Sequence, residues 1–395
     1  MGNDFEPFFE ISSVLGHGGR LKKLSRHLAL SGWGPEEQAK LDSMSILVVG
    51  AGGLGSTLCL ELCGSVFGNN IISIIDPDVV EESNLHRQIA FSESDIGKPK
   101  ATRLAELCYR RNNSCHIKGI VGSLDDSNVI DLFAVHDVIF DCTDNLPARI
   151  LISDTWKTSE KSKLVISASC VGWCGQIVRL DSDTPFCLRC IYGDAGSVSG
   201  CDRLGQCALQ GVMGPVVSAV ASLQLMALIH VVKDPRAKRT SFLQLVDFSS
   251  GLMTHEVHVA PNCASCCSDT RVFQSIVSAP CLPDSSLEIE SVQLLSLLME
   301  GSCIIIDVRE RSHFKCSKLR RSVNFPASHY VHAGVDLKED SALCEVIRGR
   351  GESIVTVCRR GFDSLKFVHR IKEVWPELKM YSLSGGLTGL SLDIV

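Results

Sequence analysis

The fold of this chain is decided by a stretch in which an apolar run passes directly into a glycine-rich turn: Ile46-Leu47-Val48-Val49-Gly50-Ala51-Gly52-Gly53-Leu54-Gly55. The run has the length of a β-strand. The Gly-x-Gly-x-x-Gly spacing between a strand and a helix is typical of a turn whose backbone N–H groups hold a phosphate. A second apolar run at 71–75 ends at Asp76, where a carboxylate can accept the hydroxyls of a ribose. The sequence therefore predicts a βαβ unit of a parallel sheet that binds a nucleotide.

Further apolar runs extend this pattern along the chain. Those at 138–140 and 164–166 predict additional strands of the same sheet. Serine, proline and aspartate cluster at 278–284, which is typical of a linker. Beyond it, runs at 304–306 and 354–357 predict the strands of a second α/β fold.

The length of 395 residues suggests two or three domains. We predict four segments: an N-terminal extension at 1–20, a larger α/β domain at 21–275, a linker at 276–288, and a smaller α/β domain at 289–395. The smaller predicted domain, of about 105 residues, has a size that is usual for an independently folding unit.

The composition excludes several classes of protein. With 45% hydrophobic and 21% charged residues, the chain lies in the range of globular proteins. Its net charge of −6 lacks the basic excess of a dedicated nucleic-acid binder, so we expect no direct nucleic-acid partner. An uncharged segment at 211–232 is long enough to span a bilayer, but Pro215, Gln224 and His230 interrupt it. We predict a buried helix there and no membrane association.

The count of 19 cysteines is unusual. A disulfide-rich secreted protein is typically short and begins with a positively charged signal peptide. This chain is long and has the acidic residues Asp4 and Glu6 near its start. We therefore expect the reducing cytosol, with the cysteines serving as core residues, metal ligands or sulfur-handling thiols.

The glycine turn alone does not identify the nucleotide, because NAD and ATP sites share it. Three later motifs are not dehydrogenase features: Asn84-Leu85-His86-Arg87-Gln88, Gly97-Lys98-Pro99-Lys100 and Asp141-Cys142-Thr143-Asp144-Asn145. Arg87 and Lys100 offer cations to a polyphosphate, and Asp144 offers a hard oxygen ligand for Mg²⁺. Taken singly, each of them is better explained as a solvated surface charge, whereas the set together with the turn favours ATP.

Two Cys-x-x-Cys pairs, Cys187 with Cys190 and Cys263 with Cys266, have the spacing of zinc knuckles. Four thiolates complete a closed tetrahedral site, so the ion would be structural. A redox pair or simple packing are the alternatives. The adjacent Cys267 could replace Cys266 as the fourth ligand.

Cys358 follows the run at 354–357 and begins a loop that leads into a helical pattern at 363–374. Backbone N–H groups of such a loop and the helix N-terminus favour a thiolate or persulfide anion. Arg359 and Arg360 add positive charge, and Gly361 supplies the backbone freedom that the turn needs. The alternative is an inert cysteine at the end of a buried strand.

The motifs at 21–270, in this order, resemble the adenylation domain of ubiquitin-activating-type enzymes, and most closely the group that activates the small subunit of molybdopterin synthase and the thiamine-pathway sulfur carrier. The resemblance implies a Rossmann-like fold. Together with the glycine turn it assigns ATP binding to Gly52, Gly53, Asp76, Asn84, Arg87, Lys100, Asp144 and Asn145.

The same resemblance implies roles for three further residues. Arg26 would reach the triphosphate of the neighbouring subunit in a homodimer with composite sites. Cys207, on a mobile crossover loop, would react with the activated carrier. Family spacing also favours Cys266 as the fourth zinc ligand.

The Cys358 loop, the stretch at 305–310 and Gly385-Gly386-Leu387 resemble a rhodanese domain over 289–395. Rhodaneses carry sulfur as a cysteine persulfide, which the resemblance places on Cys358, with Asp307 and Arg309 in structural roles. The expected fold class is therefore α/β throughout: a Rossmann-like ATP-binding adenylation domain with a zinc site, followed by a smaller rhodanese domain.

This combination is similar to the adenylyltransferase and sulfurtransferase family of molybdenum cofactor synthesis, a type of enzyme that also serves thiolation of tRNA. It implies adenylation, with ATP and Mg²⁺, of the C-terminal glycine of a ubiquitin-like sulfur carrier ending in Gly-Gly. A persulfide-donating cysteine desulfurase would supply sulfur, and Cys207 would release the carrier thiocarboxylate from Cys358.

Two other classes of function stay open from sequence. An NAD-dependent oxidoreductase shares the glycine turn, although it would need neither the cysteine pairs nor the persulfide loop. A non-catalytic scaffold that binds the carrier is the other alternative. It is suggested by Leu24 and His27, where the family has Tyr and Gln, and by the missing Trp and Phe-Pro-x-Tyr tail after Gly386.

Overall fold

The structure, a computed structural model, describes most of the chain: residues 23–66, 70–159, 163–192, 211–234, 242–247, 251–261, 263, 265–267, 287–301, 303–332, 337–348, 353–358 and 361–390. The chain divides into two compact units, Met1–Ile276 and Val277–Val395. The predicted linker at 276–288 lies outside the described residues except for its last two positions. The second of these, Glu288, already belongs to a strand of the second unit.

The described part of the first unit forms an eight-stranded sheet in the order β3-β2-β1-β4-β5-β6-β7-β8. The strands β1 to β5 pair in parallel, and β5 to β8 pair antiparallel. The strands are β1 (Ser45–Val49), β2 (Ile71–Asp76), β3 (His116–Val121), β4 (Val138–Asp141), β5 (Leu164–Val171), β6 (Cys174–Leu180), β7 (Phe242–Asp247) and β8 (Gly251–Glu256).

Helices cover both faces of the parallel strands: α1 (Pro35–Ser43), α2 (Gly53–Ser65), α3 (Lys100–Arg111), α4 (Val129–Val135), α5 (Leu146–Thr158), α6 (Leu188–Tyr192) and α7 (Gly214–Lys233). Successive side chains of a strand point to opposite faces. Ile46 and Val48 of β1 therefore join the core shared with α2, α3 and α7. Leu47 and Val49 join the core shared with α4, α5 and α6. The result is a doubly wound, three-layer α/β fold.

Among the described residues, α7 is the one helix long and apolar enough to cross a membrane by length and composition, with a mean hydropathy of 1.9. Its side chains Val217, Val220 and Leu228 belong to the core of the first unit. The buried Gln224 amide donates hydrogen bonds to the carbonyl oxygens of Asp141 (3.1 Å) and Ile166 (2.7 Å). The helix predicted at 211–232 is thus tied to β4 and β5.

The second unit is a smaller α/β fold with a parallel five-stranded sheet in the order β11-β10-β12-β13-β9. Its strands are β9 (Glu288–Ile289), β10 (Cys303–Asp307), β11 (Val323–Asn324), β12 (Ser353–Val357) and β13 (Met380–Leu383). Its helices are α8 (Ser291–Met299), α9 (Arg311–Cys316), α10 (Ser341–Arg348) and α11 (Phe362–Val374). The two faces of this sheet carry separate apolar cores.

The predicted fold class is confirmed. The apolar runs quoted above are the strands β1, β2, β4, β5, β10 and β12, and the helical pattern at 363–374 is α11.

Candidate functional site

The order of strands in the first sheet reverses between β1 and β4, and this creates a crevice at their carboxyl ends. Val49, at the end of β1, pairs with Ile75 of β2 on one side and with Asp141 of β4 on the other. Ligands of open α/β sheets bind at such a switch point. The residues that follow β1, β2 and β4 therefore line the place where this fold class binds ligands.

The glycine turn after β1 is closed on its inner side and open on its outer side. Gly50 has a left-handed backbone (φ 98°), and a Cβ there would lie 2.7 Å from the carbonyl oxygen of Cys142. A Cβ on Gly55 would overlap the carbonyl oxygen of Gly50. A Cβ on Gly52, in contrast, would meet no heavy atom within 4 Å. The turn is thus packed tightly against β4 and leaves space over Gly52 at the N-terminus of α2, where a phosphate is favoured.

Asp76 organises this turn from the end of β2. One carboxylate oxygen accepts a hydrogen bond from the backbone N–H of Ala51 (2.6 Å), and the other accepts one from that of Asp78 (2.8 Å). Burial raises the pKa of Asp76, and the two backbone donors oppose that shift. In this structure the Asp76 carboxylate fixes the glycine turn. The ribose contact that the sequence predicts would use the same carboxylate.

The predicted cations lie on the segment after β2. Asn84 Oδ1 accepts hydrogen bonds from Arg87 Nη2 and Gln88 Nε2, each at 3.1 Å. Lys100 Nζ donates to Asp78 Oδ2 at 2.8 Å, and its side chain is only 6% exposed. Both cations are therefore held in place by neighbours before any ligand binds.

Asp144 and Asn145 are exposed at the start of α5, directly after β4. Asn145 Oδ1 accepts a hydrogen bond from the backbone N–H of Ala148 (3.0 Å) and so caps the helix. The carboxylate of Asp144 stands at the carboxyl edge of the sheet, where it can serve as an oxygen ligand for a cation.

A buried ion pair that the sequence did not predict supports the loop between β4 and α5. Arg149 Nη1 lies 3.8 Å from Asp141 Oδ2, and both side chains are buried. The guanidinium also donates to Ser167 Oγ (3.2 Å), to the Ala168 carbonyl oxygen (2.8 Å) and to the Thr143 carbonyl oxygen. No sequence signal marks Arg149 as buried, because its partners come from β4 and β5.

We expect Arg149→Met to lower the free energy of unfolding by about 3–5 kcal/mol, because it leaves the Asp141 carboxylate buried without its counter-charge. Urea denaturation of the full chain measures this. Arg110→Met, the same change at the exposed end of α3, is the matched control. Equal stability of the two variants would contradict a supporting role for Arg149.

The described structure does not test the roles predicted for two site residues. Arg26 is exposed on the turn before α1. Cys207 lies outside the described residues. Their assigned roles stay predictions.

The four cysteines of the two Cys-x-x-Cys pairs come together, with all four Sγ atoms within 4.8 Å of one another. Sγ–Sγ distances are 4.0 Å for Cys187–Cys190, 3.5 Å for Cys187–Cys263 and 3.7 Å for Cys190–Cys266. Tetrahedral zinc with Zn–S bonds of about 2.3 Å requires Sγ–Sγ distances of about 3.8 Å. The four thiols therefore fit a zinc-sized ion.

Ionising all four of these thiols together requires such an ion. Burial, followed by the neighbouring cysteines, raises the pKa of Cys187, and burial raises the pKa of Cys266 to about 12. Four thiolates this close together need a cation between them. Cys267 stays outside the group: its thiol is exposed and faces the carbonyl oxygen of Ala260 at 3.5 Å.

Cys358 lies at the end of β12 in the second unit, where its sulfur has two hydrogen-bond donors. Sγ accepts from the backbone N–H of Gly361 (3.1 Å) and from Ser364 Oγ (3.3 Å). The side chain is 2% exposed. The N-terminus of α11 adds a favourable dipole for an anion on this sulfur.

The loop that holds Cys358 is closed by glycines. Gly361 has φ 93°, and a Cβ there would lie 3.1 Å from the carbonyl oxygen of Leu383. The backbone N–H of Leu387 donates to the carbonyl oxygen of Cys358 at 2.8 Å. The predicted Gly385-Gly386-Leu387 motif is thus part of the same turn. Arg359 and Arg360 lie outside the described residues.

Asp307 and Arg309, expected to be structural, form an ion pair at the end of β10, in which Asp307 is buried and Arg309 is partly exposed. Arg309 Nη2 lies 2.7 Å from Asp307 Oδ2 and 2.6 Å from the carbonyl oxygen of Ser317. Asn324 Nδ2 of β11 donates to the carbonyl oxygens of both residues. The pair anchors the turn after β10 and has no direct contact with the Cys358 sulfur among those observed.

Each of the two units matches a known protein family. Residues 24–268 match the ThiF family, and residues 291–393 match the rhodanese-like domain.

Curated relatives match over nearly the whole chain. Adenylyltransferase and sulfurtransferase MOCS3-1 of Zea mays is 30% identical over 94% of this chain and 81% of its own length. MOCS3 of Arabidopsis thaliana is 30% identical over 90% and 80%, and UBA4 of Yarrowia lipolytica is 30% identical over 92% and 91%.

Solved structures share the fold of the first unit. E. coli MccB bound to MccA-N7isoASN has a TM-score of 0.52 at 20% identity, covering 62% of this chain and 74% of the MccB chain. At that identity the likeness shows the fold alone.

Proposed function

The chain belongs to the ThiF family and, with its rhodanese-like domain, is an adenylyltransferase and sulfurtransferase, and from that premise we propose that its substrate is the C-terminal glycine of a ubiquitin-like sulfur carrier. The carrier is the small subunit of molybdopterin synthase, the ubiquitin-related modifier of tRNA thiolation, or both. The family match sets aside the NAD-dependent oxidoreductase. One observation carries the proposal. The same chain has a glycine turn with space for a phosphate over Gly52 and a cysteine, Cys358, whose sulfur accepts two hydrogen bonds.

The first reaction takes place at the crevice of the first unit. A carboxylate oxygen of the carrier's terminal glycine attacks the α-phosphorus of ATP, and the bond to the β-phosphate oxygen breaks to release pyrophosphate. The product is a carrier acyl-adenylate. The N–H groups around Gly52 and Gly53 hold a phosphate, and Arg87 and Lys100 offset the charge that builds up on the leaving pyrophosphate.

Mg²⁺, when bound, neutralises phosphate charge and orients the polyphosphate. Asp144 would hold it, with Asn145 fixing the loop through its cap on α5. Lys100 must exchange Asp78 for a phosphate oxygen when ATP binds, because the two groups are paired in the free chain.

The second reaction uses Cys358 as a persulfide. Its terminal sulfur attacks the acyl carbon, AMP leaves, and an acyl disulfide joins the carrier to Cys358. The Cys207 thiolate then attacks the Cys358 sulfur, so that the carrier departs as a thiocarboxylate and a Cys207–Cys358 disulfide forms. A cellular thiol must reduce that disulfide before the next cycle. The two donors at the Cys358 sulfur stabilise the anionic forms in this sequence.

Several components complete the proposal. A structural Zn²⁺ binds Cys187, Cys190, Cys263 and Cys266 and locks α6 to the segment after β8. A cysteine desulfurase supplies the persulfide. A homodimer brings Arg26 to the partner's triphosphate. The cysteines with described side chains are not in disulfides, which supports the cytosol as the compartment.

We expect ATP–pyrophosphate exchange only when a carrier ending in Gly-Gly is present, because its carboxylate is the nucleophile. Radiolabelled pyrophosphate incorporation into ATP measures this, with a carrier lacking the last glycine as the control. Exchange without carrier, or equal exchange with the truncated carrier, would contradict the proposed substrate. A carrier-binding scaffold without activity predicts binding and no exchange.

A further inference from the structure

A single buried carboxylate on a third element accepts hydrogen bonds from one residue inside each Cys-x-x-Cys pair. Asp154 lies on α5, which contributes no ligand to the four-cysteine group. Arg189, between Cys187 and Cys190, donates to it through Nε (3.0 Å to Oδ1 and 3.1 Å to Oδ2) and Nη2 (2.6 Å to Oδ2). Both side chains are buried.

A residue inside the second cysteine pair contacts the same carboxylate. Ser265, between Cys263 and Cys266, donates its hydroxyl to Asp154 Oδ1 at 2.5 Å. The preceding residue of α5 adds a further bond, since Ser153 Oγ accepts the backbone N–H of Leu188 at 2.9 Å. One turn of α5 therefore fixes the first knuckle at two points and the second knuckle at one.

We propose that Asp154 is the positioning residue of the four-cysteine metal centre: its carboxylate aligns both knuckles and selects Cys266 over Cys267 as the fourth ligand. The inference rests on the proposed zinc site. Residues that orient metal ligands affect metal affinity by about 10–100-fold, although they do not touch the ion.

The selection follows from the position of Ser265. With its hydroxyl held by Asp154, the next residue, Cys266, turns its sulfur to Cys190 at 3.7 Å. The residue after it, Cys267, is exposed and faces the Ala260 carbonyl oxygen. Without the anchor, spacing alone permits either thiol to complete the site.

The interaction between Asp154 and Arg189 also depends on the negative charge of the carboxylate. Arg189 is buried, so its guanidinium needs a buried anion, and the Asp154 carboxylate supplies two oxygens in the fork geometry that Arg prefers. In Asp154→Asn one of these oxygens becomes an amide nitrogen, which cannot accept a hydrogen bond, and the negative charge beside Arg189 at this position is removed. The first knuckle then loses its fixed orientation, while all four ligands remain.

The test is zinc release from the zinc-loaded full chain to the chromophoric chelator 4-(2-pyridylazo)resorcinol. We expect Asp154→Asn to release zinc about 10–100-fold faster than the unmodified chain. Asp131→Asn, the same change on the exposed surface of α4, is the matched control and should release zinc at the original rate. Equal rates for Asp154→Asn and the unmodified chain would overturn the inference.

A second variant and a second measurement test the inference even if Asp154→Asn does not fold. Ser265→Ala removes one hydrogen bond to a charged group and should speed zinc release about tenfold. In the zinc-loaded chain, iodoacetamide should label Cys267 and spare Cys266, whereas in Ser265→Ala both should be labelled. Unchanged release and labelling in Ser265→Ala would overturn the role of Asp154. An unmodified chain that binds no zinc after reconstitution would instead overturn the metal centre itself.

Discussion

Cys358→Ala is expected to reduce thiosulfate sulfurtransferase activity to the level measured without enzyme, while carrier-dependent ATP–pyrophosphate exchange continues at its original rate. The reason is chemical: the sulfur that carries the persulfide is removed, and alanine offers no other nucleophile. Exchange needs only the crevice between β1 and β4, which belongs to the first unit. Cyanide-trapped thiocyanate formation measures the first activity, and radiolabelled pyrophosphate measures the second.

Cys344→Ala is the matched control for this variant. Cys344 is a second buried thiol of the same unit, held by the carbonyl oxygens of Leu337 and Lys338. Its removal should leave both activities unchanged per folded molecule. Loss of exchange in a folded Cys358→Ala protein would contradict the division of the two reactions between the two units.

Asp144→Ala should produce the opposite pattern. We expect exchange to fall by about 100-fold or more, because a metal ion at the phosphates contributes several kcal/mol to the stability of the transition state. The sulfurtransferase activity should not change. Initial rates of exchange at several Mg²⁺ concentrations measure the effect, and raised Mg²⁺ should restore part of the loss if Asp144 is a ligand.

Asp131→Ala, which removes an exposed carboxylate of α4, is the control for Asp144→Ala and should exchange at the original rate. An unchanged exchange rate in Asp144→Ala would contradict the Mg²⁺ role. In that case the ion would have to be held by the ATP phosphates and other oxygen ligands.

The sequence was most informative where local physical chemistry determines the structure. The apolar run before Gly50 and the run before Asp76, which only Ser73 interrupts, predicted buried strands because of their length and the turn signals after them, and the glycine spacing predicted a tight turn. Cys-x-x-Cys spacing likewise reports a local turn, which is why four of the 19 cysteines could be assigned to a metal from sequence.

Sequence analysis was less informative where partners are distant in the chain. Arg149 lies in an ordinary helical sequence, and only the pairing of β4 with β5 shows that it is buried against Asp141. The choice between Cys266 and Cys267 depends on Ser265 meeting Asp154, residues 111 positions apart. Arg26 and Cys207 rest on family resemblance, and their roles stay predictions.

The central claim is that one chain both activates the carrier and delivers sulfur to it, and mass spectrometry of the carrier tests this most directly. The full chain is incubated with ATP, Mg²⁺, thiosulfate, a reducing thiol and a carrier ending in Gly-Gly. We predict that the carrier mass increases by the exchange of one oxygen for sulfur at its C-terminus. The increase should require ATP and should disappear with Cys358→Ala. Carrier that stays unmodified while exchange proceeds, or that gains sulfur without ATP, would contradict the account.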